Sequence, residues 1–222
     1  MEKQETKSLR ERRSVPVCEF HTADESDGGE RKIAGHAAVF DVETSLGSFD
    51  EIVRPGAFAR AIQQGQDVRA LFNHDENHVL GRTRNGTLRL EEDGRGLAVE
   101  IDPPDTQVGR DVVELIRRGD VSQMSYAFVV QSEKWTERKG GRPLREVLDL
   151  DLYDVSPVTY PAEITTEVGL RSAESVFADH MQSLESQKGK DDTPTEAESQ
   201  ERRDFQKRVR AIKIGNLRNR KE

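Results

Sequence analysis

Short runs in which hydrophobic and polar residues alternate recur from residue 15 to about residue 170, separated by clusters of Gly, Pro, Asn and Asp. Alternation with a period of two places every second side chain on one face of a strand, and Asn-Gly or Asp-Gly pairs favour the turns between strands. Strands are predicted at residues 33–40, 67–74, 86–93, 96–103, 122–130 and 145–158. This pattern is typical of a mainly β domain.

Two segments follow helical rather than strand periodicity. Residues 55–65, PGAFARAIQQG, have a proline at the start, apolar residues on one face and a glycine at the end, as expected of a short helix. Residues 106–120, TQVGRDVVELIRRGD, carry an aliphatic stripe and finish in Arg-Arg-Gly, which suits the negative end of a helix dipole. Both helices are expected to pack on the sheet, so the predicted class is mainly β (α+β).

The two ends of the chain lack this hydrophobic pattern. Residues 1–14 have almost no apolar side chains and predict a flexible arm, whereas residues 173–222 begin as a charged linker. The last part of the tail turns basic and has one helical stripe of apolar residues, Phe205, Val209 and Ile212. That stripe predicts either a contact with a partner or a solvated helix. The folded domain is therefore predicted over residues 15–172.

Composition and charge narrow the classes of function. Charged residues make up 34% and hydrophobic residues 33% of the chain, so part of the chain is predicted to contribute nothing to a core. The net charge of −8 argues against nucleic-acid binding by the whole molecule. The single cysteine, Cys18, excludes an internal disulfide and a cysteine-based zinc site. With a charged N-terminal segment and no long apolar run, a soluble cytosolic protein is predicted.

The first candidates for chemistry are two histidines, His74 and His78, set four residues apart. A histidine pair with this spacing can bind zinc when both lie on one helical face. Here the preceding residues predict a strand, and Asn73, Asp75 and Asn77 favour a turn. No third ligand is evident, so a metal site is the weaker interpretation. The simplest alternative is that His74 only satisfies hydrogen bonds within the turn.

A serine and an aspartate stand out in two of the predicted strands. In SQMSYAFVV, alternation places Ser125 beside small neighbours. In REVLDLDLYDVSPV, alternation places Asp154 on the face that carries Leu148, Leu150 and Leu152. A carboxylate on an apolar face is costly unless it is paired or hydrogen-bonded. Asp154 is therefore predicted to have a partner.

His74, Ser125 and Asp154 are the residue types that nucleophilic acyl transfer requires. The imidazole takes the serine proton, and the acid fixes the imidazole tautomer and stabilises its charged form. Sequence separation carries little weight here, because such triads arise by convergence in space. From the residues alone, a serine tolerated as a small polar residue in a strand remains the alternative.

The same runs, in this order, resemble the prohead protease family of tailed bacteriophages, the capsid maturation proteases. The resemblance covers about residues 33–163 and consists of IAGHAAVFDVET, EIVRPGAFARAI, VRALFNHDENHVLGRT, GRGLAVEIDP, ELIRRGDVSQMSYAFVV and LYDVSPVTYPAE. No single run is decisive. The ordered set is specific, because such runs rarely coincide by chance.

The resemblance implies a serine endopeptidase with the fold of the herpesvirus assembly proteases, a β-barrel core decorated by helices. The family's histidine falls on His74, its serine on Ser125 and its acid, just before the V-S-x-V segment, on Asp154. Asp151 is the rival for the third position if a bulge shifts the register. His78 then becomes a structural or surface residue.

The resemblance also implies a place of action, in the host cytoplasm and inside the procapsid. The expected substrates and partners are the phage scaffold and major capsid protein, with self-cleavage expected at residues 172–195. No membrane, specific nucleic acid, cofactor or metal is expected, and a homodimer is left open. The alternative function is a non-catalytic assembly factor that binds scaffold. Backbone amides of an oxyanion hole leave no mark in a sequence, and the neighbourhood of Arg142 and Arg145 is the one weak candidate.

Overall fold

A computed structural model of the chain describes residues 10–16, 21–22, 32–160 and 172–188. The strands are β1 (Glu11–Pro16), β2 (His21–Thr22), β3 (Ile33–Val39), β4 (Thr44–Ser45), β5 (Asp50–Val53), β6 (Arg69–Phe72), β7 (Asp75–Arg82), β8 (Leu88–Glu92), β9 (Gly96–Ile101), β10 (Gln123–Thr136) and β11 (Leu144–Val158). The helices are α1 (Ala59–Gln63), α2 (Gln107–Arg118) and α3 (Ala173–Lys188). Strands dominate, so the predicted mainly β class is confirmed.

Two sheets contribute to one hydrophobic core. The larger sheet has the order β1-β10-β11-β5-β4, with β6 also paired to β11 and β7 paired to β6. The smaller sheet has the order β2-β3-β9-β8. Buried side chains from both belong to the same cluster, including Ile33, Leu97, Ile101, Tyr126, Phe128 and Leu150. Within the described ranges the strands form two sheets and do not close into a barrel.

The residues on either side of helix α1 fill a gap beside β11. Strand β5 pairs in parallel with residues 144–147 of β11, and β6 pairs in parallel with residues 154–155. Between these pairings the Leu150 amide donates to the Ala57 carbonyl at 3.1 Å, and the Leu152 amide donates to Gln66 Oε1 at 2.9 Å. The polar backbone of buried β11 is thus satisfied where its strand partners change.

Helix α2 begins and ends as its sequence predicts. The Thr106 side chain accepts a hydrogen bond from the Gly109 amide at 3.2 Å, which caps the N-terminus. Gly119 ends the helix in the left-handed conformation with a φ of 82°, where glycine has no side chain to clash. Val112 and Ile116 are buried against the core.

A bulge at Tyr153 decides which face Asp154 occupies. In the ladder between β10 and β11, Phe128 pairs with Leu152, and its neighbour Ala127 pairs with Asp154, so Tyr153 is the extra residue. Adjacent residues of a strand point to opposite faces. Asp154 therefore lies on the face opposite to Leu152, and the predicted register, which put both on one face, is wrong.

A second irregularity in β11 exposes a leucine that alternation placed in the core. Val147 pairs with Glu133 and Asp149 pairs with Ser132, which leaves Leu148 as the extra residue. Leu148 is 40% exposed, whereas Val147 is fully buried. Bulges of this kind bend a strand and change its phase, which sequence alternation alone does not reveal.

Strand β1 includes residues that the sequence assigned to a flexible arm. Residues 11–14 pair antiparallel with residues 125–128 of β10. The side chains that fix them are charged: Glu11 accepts hydrogen bonds from Arg145, and Arg13 donates to Glu51. Composition predicts a flexible segment here, because it counts only the apolar side chains that a segment can bury. In the structure, buried ion pairs hold the segment in place.

Helix α3 begins directly after the predicted domain boundary at residue 172. Its first residues pack on the domain, since Ala173 and Val176 are each 1% exposed and cluster with Leu46 and Phe49. The Phe177 ring stacks on Phe49 with 6.2 Å between ring centroids. The start of the segment predicted as a linker is therefore part of the domain's apolar packing.

This packing predicts a difference between two truncated chains. A chain that ends at residue 172 loses the buried Val176 and the aromatic contact of Phe177, and we expect its free energy of unfolding to fall by about 2–4 kcal/mol. A chain that ends at residue 188 keeps α3 and serves as the control. Thermal melts of the two chains measure the difference, and equal melting temperatures would contradict the packing role of α3.

The described residues include no helix with the length and apolar character needed to cross a bilayer. The apolar stripe predicted in the basic segment near the C-terminus, at residues 205–212, lies outside the described residues.

Candidate active site

His74 lies in the tight turn between β6 and β7. Both Asn73 and His74 have left-handed backbone conformations, with φ of 55° and 56°, which are uncommon for residues other than glycine. The Asn73 side chain ties the turn to the end of β11, because it accepts from the Thr159 amide at 2.8 Å and donates to Thr159 Oγ1 at 3.1 Å. The turn thus fixes the position from which the imidazole extends.

The imidazole joins two residues from the neighbouring long strands. His74 Nε2 lies 2.7 Å from Ser125 Oγ on β10, and His74 Nδ1 lies 2.5 Å from Asp154 Oδ1 on β11. A carboxylate that accepts the Nδ1 proton leaves the lone pair of Nε2 facing the serine hydroxyl. This is the tautomer in which the histidine can take the serine proton.

Ser156 holds the carboxylate from the other side. Its hydroxyl donates to Asp154 Oδ1 at 2.8 Å and lies 3.3 Å from His74 Nδ1. Ser156 also pairs across the ladder with Ser125. The bulge at Tyr153 brings Asp154 onto this face, beside both serines, so the larger sheet carries a polar cluster among buried residues.

The family comparison agrees with this chemistry. The family of caudovirus prohead serine proteases matches residues 18–181, well over half of the chain. The chain belongs to this family. Its predicted class, a serine-type endopeptidase of capsid maturation, is thereby confirmed. The association with phage capsid proteins follows from membership of the prohead protease family.

Comparisons with individual proteins add less. No curated protein matches the chain significantly. Among solved structures, the capsid assembly protease gp21 of bacteriophage T4 is similar, with 13% sequence identity and a TM-score of 0.43 over 68% of this chain and 96% of that chain.

His78 takes no part in the cluster of this prohead protease. It lies in β7, where its Nδ1 is 3.2 Å from Asp75 Oδ2, and its side chain is 41% exposed. In the part of the chain that the structure describes, no three or more His, Cys, Asp or Glu side chains are grouped to hold a metal ion. The two histidines with zinc-like spacing therefore lie in different environments.

This placement predicts that His78 is dispensable. In the variant His78→Ala only an exposed contact with Asp75 is lost, and such surface contacts contribute little. We expect peptide hydrolysis within about twofold of the unaltered chain, a change smaller than any that follows loss of a catalytic group. Assays with and without a chelator measure this. A loss as severe as that of His74→Ala would restore the metal interpretation.

Asp151, the rival for the acid, is occupied elsewhere. Its carboxylate accepts hydrogen bonds from Arg60 at 2.7 Å, Gln66 at 2.5 Å and Gln131 at 2.7 Å. Partial burial acts to raise the pKa of Asp151, but the bonds from Arg60 and Gln66 outweigh it and the pKa is lowered. Asp151 is thus a structural carboxylate that anchors α1 to β11.

Arg142 and Arg145, the weak candidates for the oxyanion hole, also pair with carboxylates. Arg145 is fully buried and pairs with Glu11, Glu51 and Glu133 at 2.6–2.8 Å. Burial acts to lower the pKa of Arg145, but these carboxylates raise it overall, so the guanidinium stays charged. Arg142 donates to Asp50 at 2.9 Å. The sequence-based suggestion for this pair finds no support in their contacts.

Sequence reasoning missed Ser156 and the residues of β1. Ser156 follows Asp154 by two positions in a strand, so it shares that residue's face, and this spacing was the available signal. For β1 the sequence shows charged residues but not their partners, because the residues that bind Glu11 and Arg13 lie far away in the chain.

Proposed function

We propose that this chain is the serine endopeptidase that cleaves the scaffold protein, or a scaffold-like extension of the major capsid protein, within the procapsid during maturation. One observation carries the proposal. Ser125, His74 and Asp154 form a continuous line of hydrogen bonds of 2.7 and 2.5 Å, and a non-catalytic assembly factor has no need of that line.

Each residue then has a defined step. Ser125 Oγ attacks the carbonyl carbon of the scissile peptide while His74 Nε2 takes its proton. His74 next gives this proton to the leaving amine, which departs and leaves an ester on Ser125. A water molecule, deprotonated by His74, hydrolyses the ester and regenerates the serine.

Asp154 supports both steps without reacting. Its carboxylate accepts the Nδ1 proton of His74 and so keeps Nε2 available as the base. Once the imidazole is protonated, the negative charge of Asp154 stabilises it at short range. The Ser156 hydroxyl, which donates to the same oxygen, restricts rotation of the carboxylate.

Self-cleavage belongs to the same proposal. A peptide must be extended to enter a protease site, so a helix is a poor substrate. Helix α3 occupies residues 173–188 of the expected interval. Self-cleavage is accordingly proposed at residues 189–195, after α3.

Coexpression with the phage's own capsid and scaffold proteins tests the proposal. Gel patterns are compared for the unaltered chain, for the variant Ser125→Ala and for the capsid proteins alone. Shortened capsid or scaffold bands with the unaltered chain only are the expected result. Absence of any shortened band, together with normal assembly in both samples that contain the chain and defective assembly of the capsid proteins alone, would favour the assembly factor.

A further inference from the structure

The proposed nucleophile is closed off from solvent by the chain's own N-terminal region. Ser125 is 0% exposed, and the side chains of His74 and Asp154 are only 6% and 8% exposed. Ser14 of β1 lies directly opposite Ser125 in the ladder. A substrate carbonyl must come within about 3–3.5 Å of the nucleophile, and a peptide group of β1 already occupies such a position.

The contact with this peptide group is specific. Ser125 Oγ lies 3.0 Å from the carbonyl oxygen of Arg13, towards which its hydroxyl can donate. A hydroxyl has one proton, so a bond to Arg13 competes with the bond to His74 Nε2. Docked β1 thus both covers the serine and offers its proton a second acceptor.

The position of β1 in the sheet makes it replaceable by another peptide. Among the described strands it is the edge strand of the larger sheet, and its neighbour is β10, which carries Ser125. Removal of β1 would leave the backbone amides and carbonyls of β10 as a free edge. Extended peptides bind such edges by adding a strand, with main-chain hydrogen bonds for affinity.

Charged contacts hold β1 in place. Arg13 lies 2.6 Å from Glu51 and 2.8 Å from Glu11, and Glu11 lies 2.7 Å from Arg145. At the N-terminal end, the Arg10 guanidinium lies over the ring of the bulged Tyr153, 4.1 Å from its centroid.

The same contacts allow β1 to leave. Glu51 also pairs with Arg145 at 2.8 Å, and this pair remains in the domain when β1 is gone. Departure of β1 therefore leaves neither of these buried charges without a partner, a situation that would be strongly unfavourable.

We propose that the edge of β10 beside Ser125 is the peptide-binding edge, and that residues 10–16 are its resident occupant, a tethered inhibitor that an extended substrate must displace. This inference rests on the proposed role of Ser125. The partner that fits this edge is a peptide in extended conformation, paired antiparallel to β10 as β1 is.

The first test measures access to Ser125 in the full chain with a fluorophosphonate, a small probe that labels activated serines. The variant Arg13→Ala removes the bonds to Glu51 and Glu11, and we expect labelling of Ser125 to become about tenfold faster or more, since hydrogen bonds to charged groups shift equilibria by such factors. Arg54→Ala is the matched control, because Arg54 also bridges two carboxylates, Asp41 and Glu146. Its labelling rate should stay unchanged.

Addition of the segment as a separate peptide supplies a rescue. A peptide of residues 8–17 should slow the labelling of the Arg13→Ala chain, and the same peptide with alanine in place of Arg13 should do so far less. Acceleration without rescue by either peptide would mean that Arg13→Ala disturbs the domain rather than vacating an edge, which would overturn the inference.

A disulfide lock keeps the test decisive if Arg13→Ala does not fold. Arg12 and Ala127 are partners in the ladder, so Arg12→Cys and Ala127→Cys, combined with Cys18→Ser, can join β1 to β10. The oxidised chain should be labelled at least about tenfold more slowly than the same chain after reduction, which serves as its own control.

The outcomes separate the two proposals. Equal labelling of the oxidised and reduced chains, or an unaltered chain labelled as fast as a folded Arg13→Ala chain, would overturn the tethered inhibitor and leave the protease intact. Absence of Ser125 labelling in every folded variant would overturn the nucleophile assignment, and the inference with it.

Discussion

Replacement of Ser125 by alanine is expected to abolish processing, with a rate loss of at least about 10⁴-fold. The change removes the one oxygen that would form the covalent bond to the substrate, and no other group is placed beside His74 Nε2 to replace it among the described contacts. Because only one buried atom is lost, the fold should remain. Hydrolysis of a peptide substrate, measured beside a thermal melt, checks both statements.

Three further variants sharpen this result. His74→Ala should lose as much activity as Ser125→Ala, and the double variant should lose little more, since we propose that the two residues act as one unit. Ser132→Ala is the matched control, because Ser132 lies in the same strand but is exposed. Its activity should be unchanged, whereas normal processing by Ser125→Ala would end the serine mechanism.

Replacement of Asp154 by asparagine is expected to give a folded enzyme that is about 10⁴-fold slower. The asparagine amide can donate to His74 Nδ1, which would place the proton on Nε2 and leave no base facing Ser125. It also supplies no charge to stabilise the imidazolium. Peptide hydrolysis rates and a thermal melt together distinguish this effect from unfolding.

Asp151→Asn is the natural control for Asp154→Asn. Asp151 is also an aspartate of β11 with three side-chain partners, but these are Arg60, Gln66 and Gln131. We expect its activity to stay within about fivefold of the unaltered chain, far from the loss of a triad member, with stability lowered by the weakened ion pair. If Asp151→Asn were the more damaging change, the assignment of the acid would be wrong.

For Asp154, the sequence predicts the need for a partner correctly but the face of the strand wrongly. Alternation singled it out as a carboxylate in need of a partner, and the structure places it 2.5 Å from His74. The argument nevertheless put Asp154 on the wrong face, because the bulge at Tyr153 was invisible. A bulge is a property of two paired strands, so a single strand read alone does not show it.

The predictions for the two ends of the domain are wrong for a different reason. Residues 11–14 are predicted as an arm because few of them are apolar, and the start of α3 is predicted as part of a linker because the charged stretch that follows it offers no apolar face. In the structure, Glu11 and Arg13 gain order from carboxylates and guanidiniums that lie far away in sequence. Composition measures what a segment can bury by itself, whereas these segments depend on partners supplied by the rest of the fold.

The positions of the three proposed catalytic residues along the chain bear on the lifetime of the enzyme. His74 and Asp154 are 80 positions apart, and Ser125 lies between them, so no short fragment contains all three. A cut inside this interval divides the machinery between two pieces and ends activity once they separate. A cut beyond residue 188 leaves all three residues in one piece. An enzyme that trims its own tail would therefore continue to work, whereas one cut between base and acid would switch itself off.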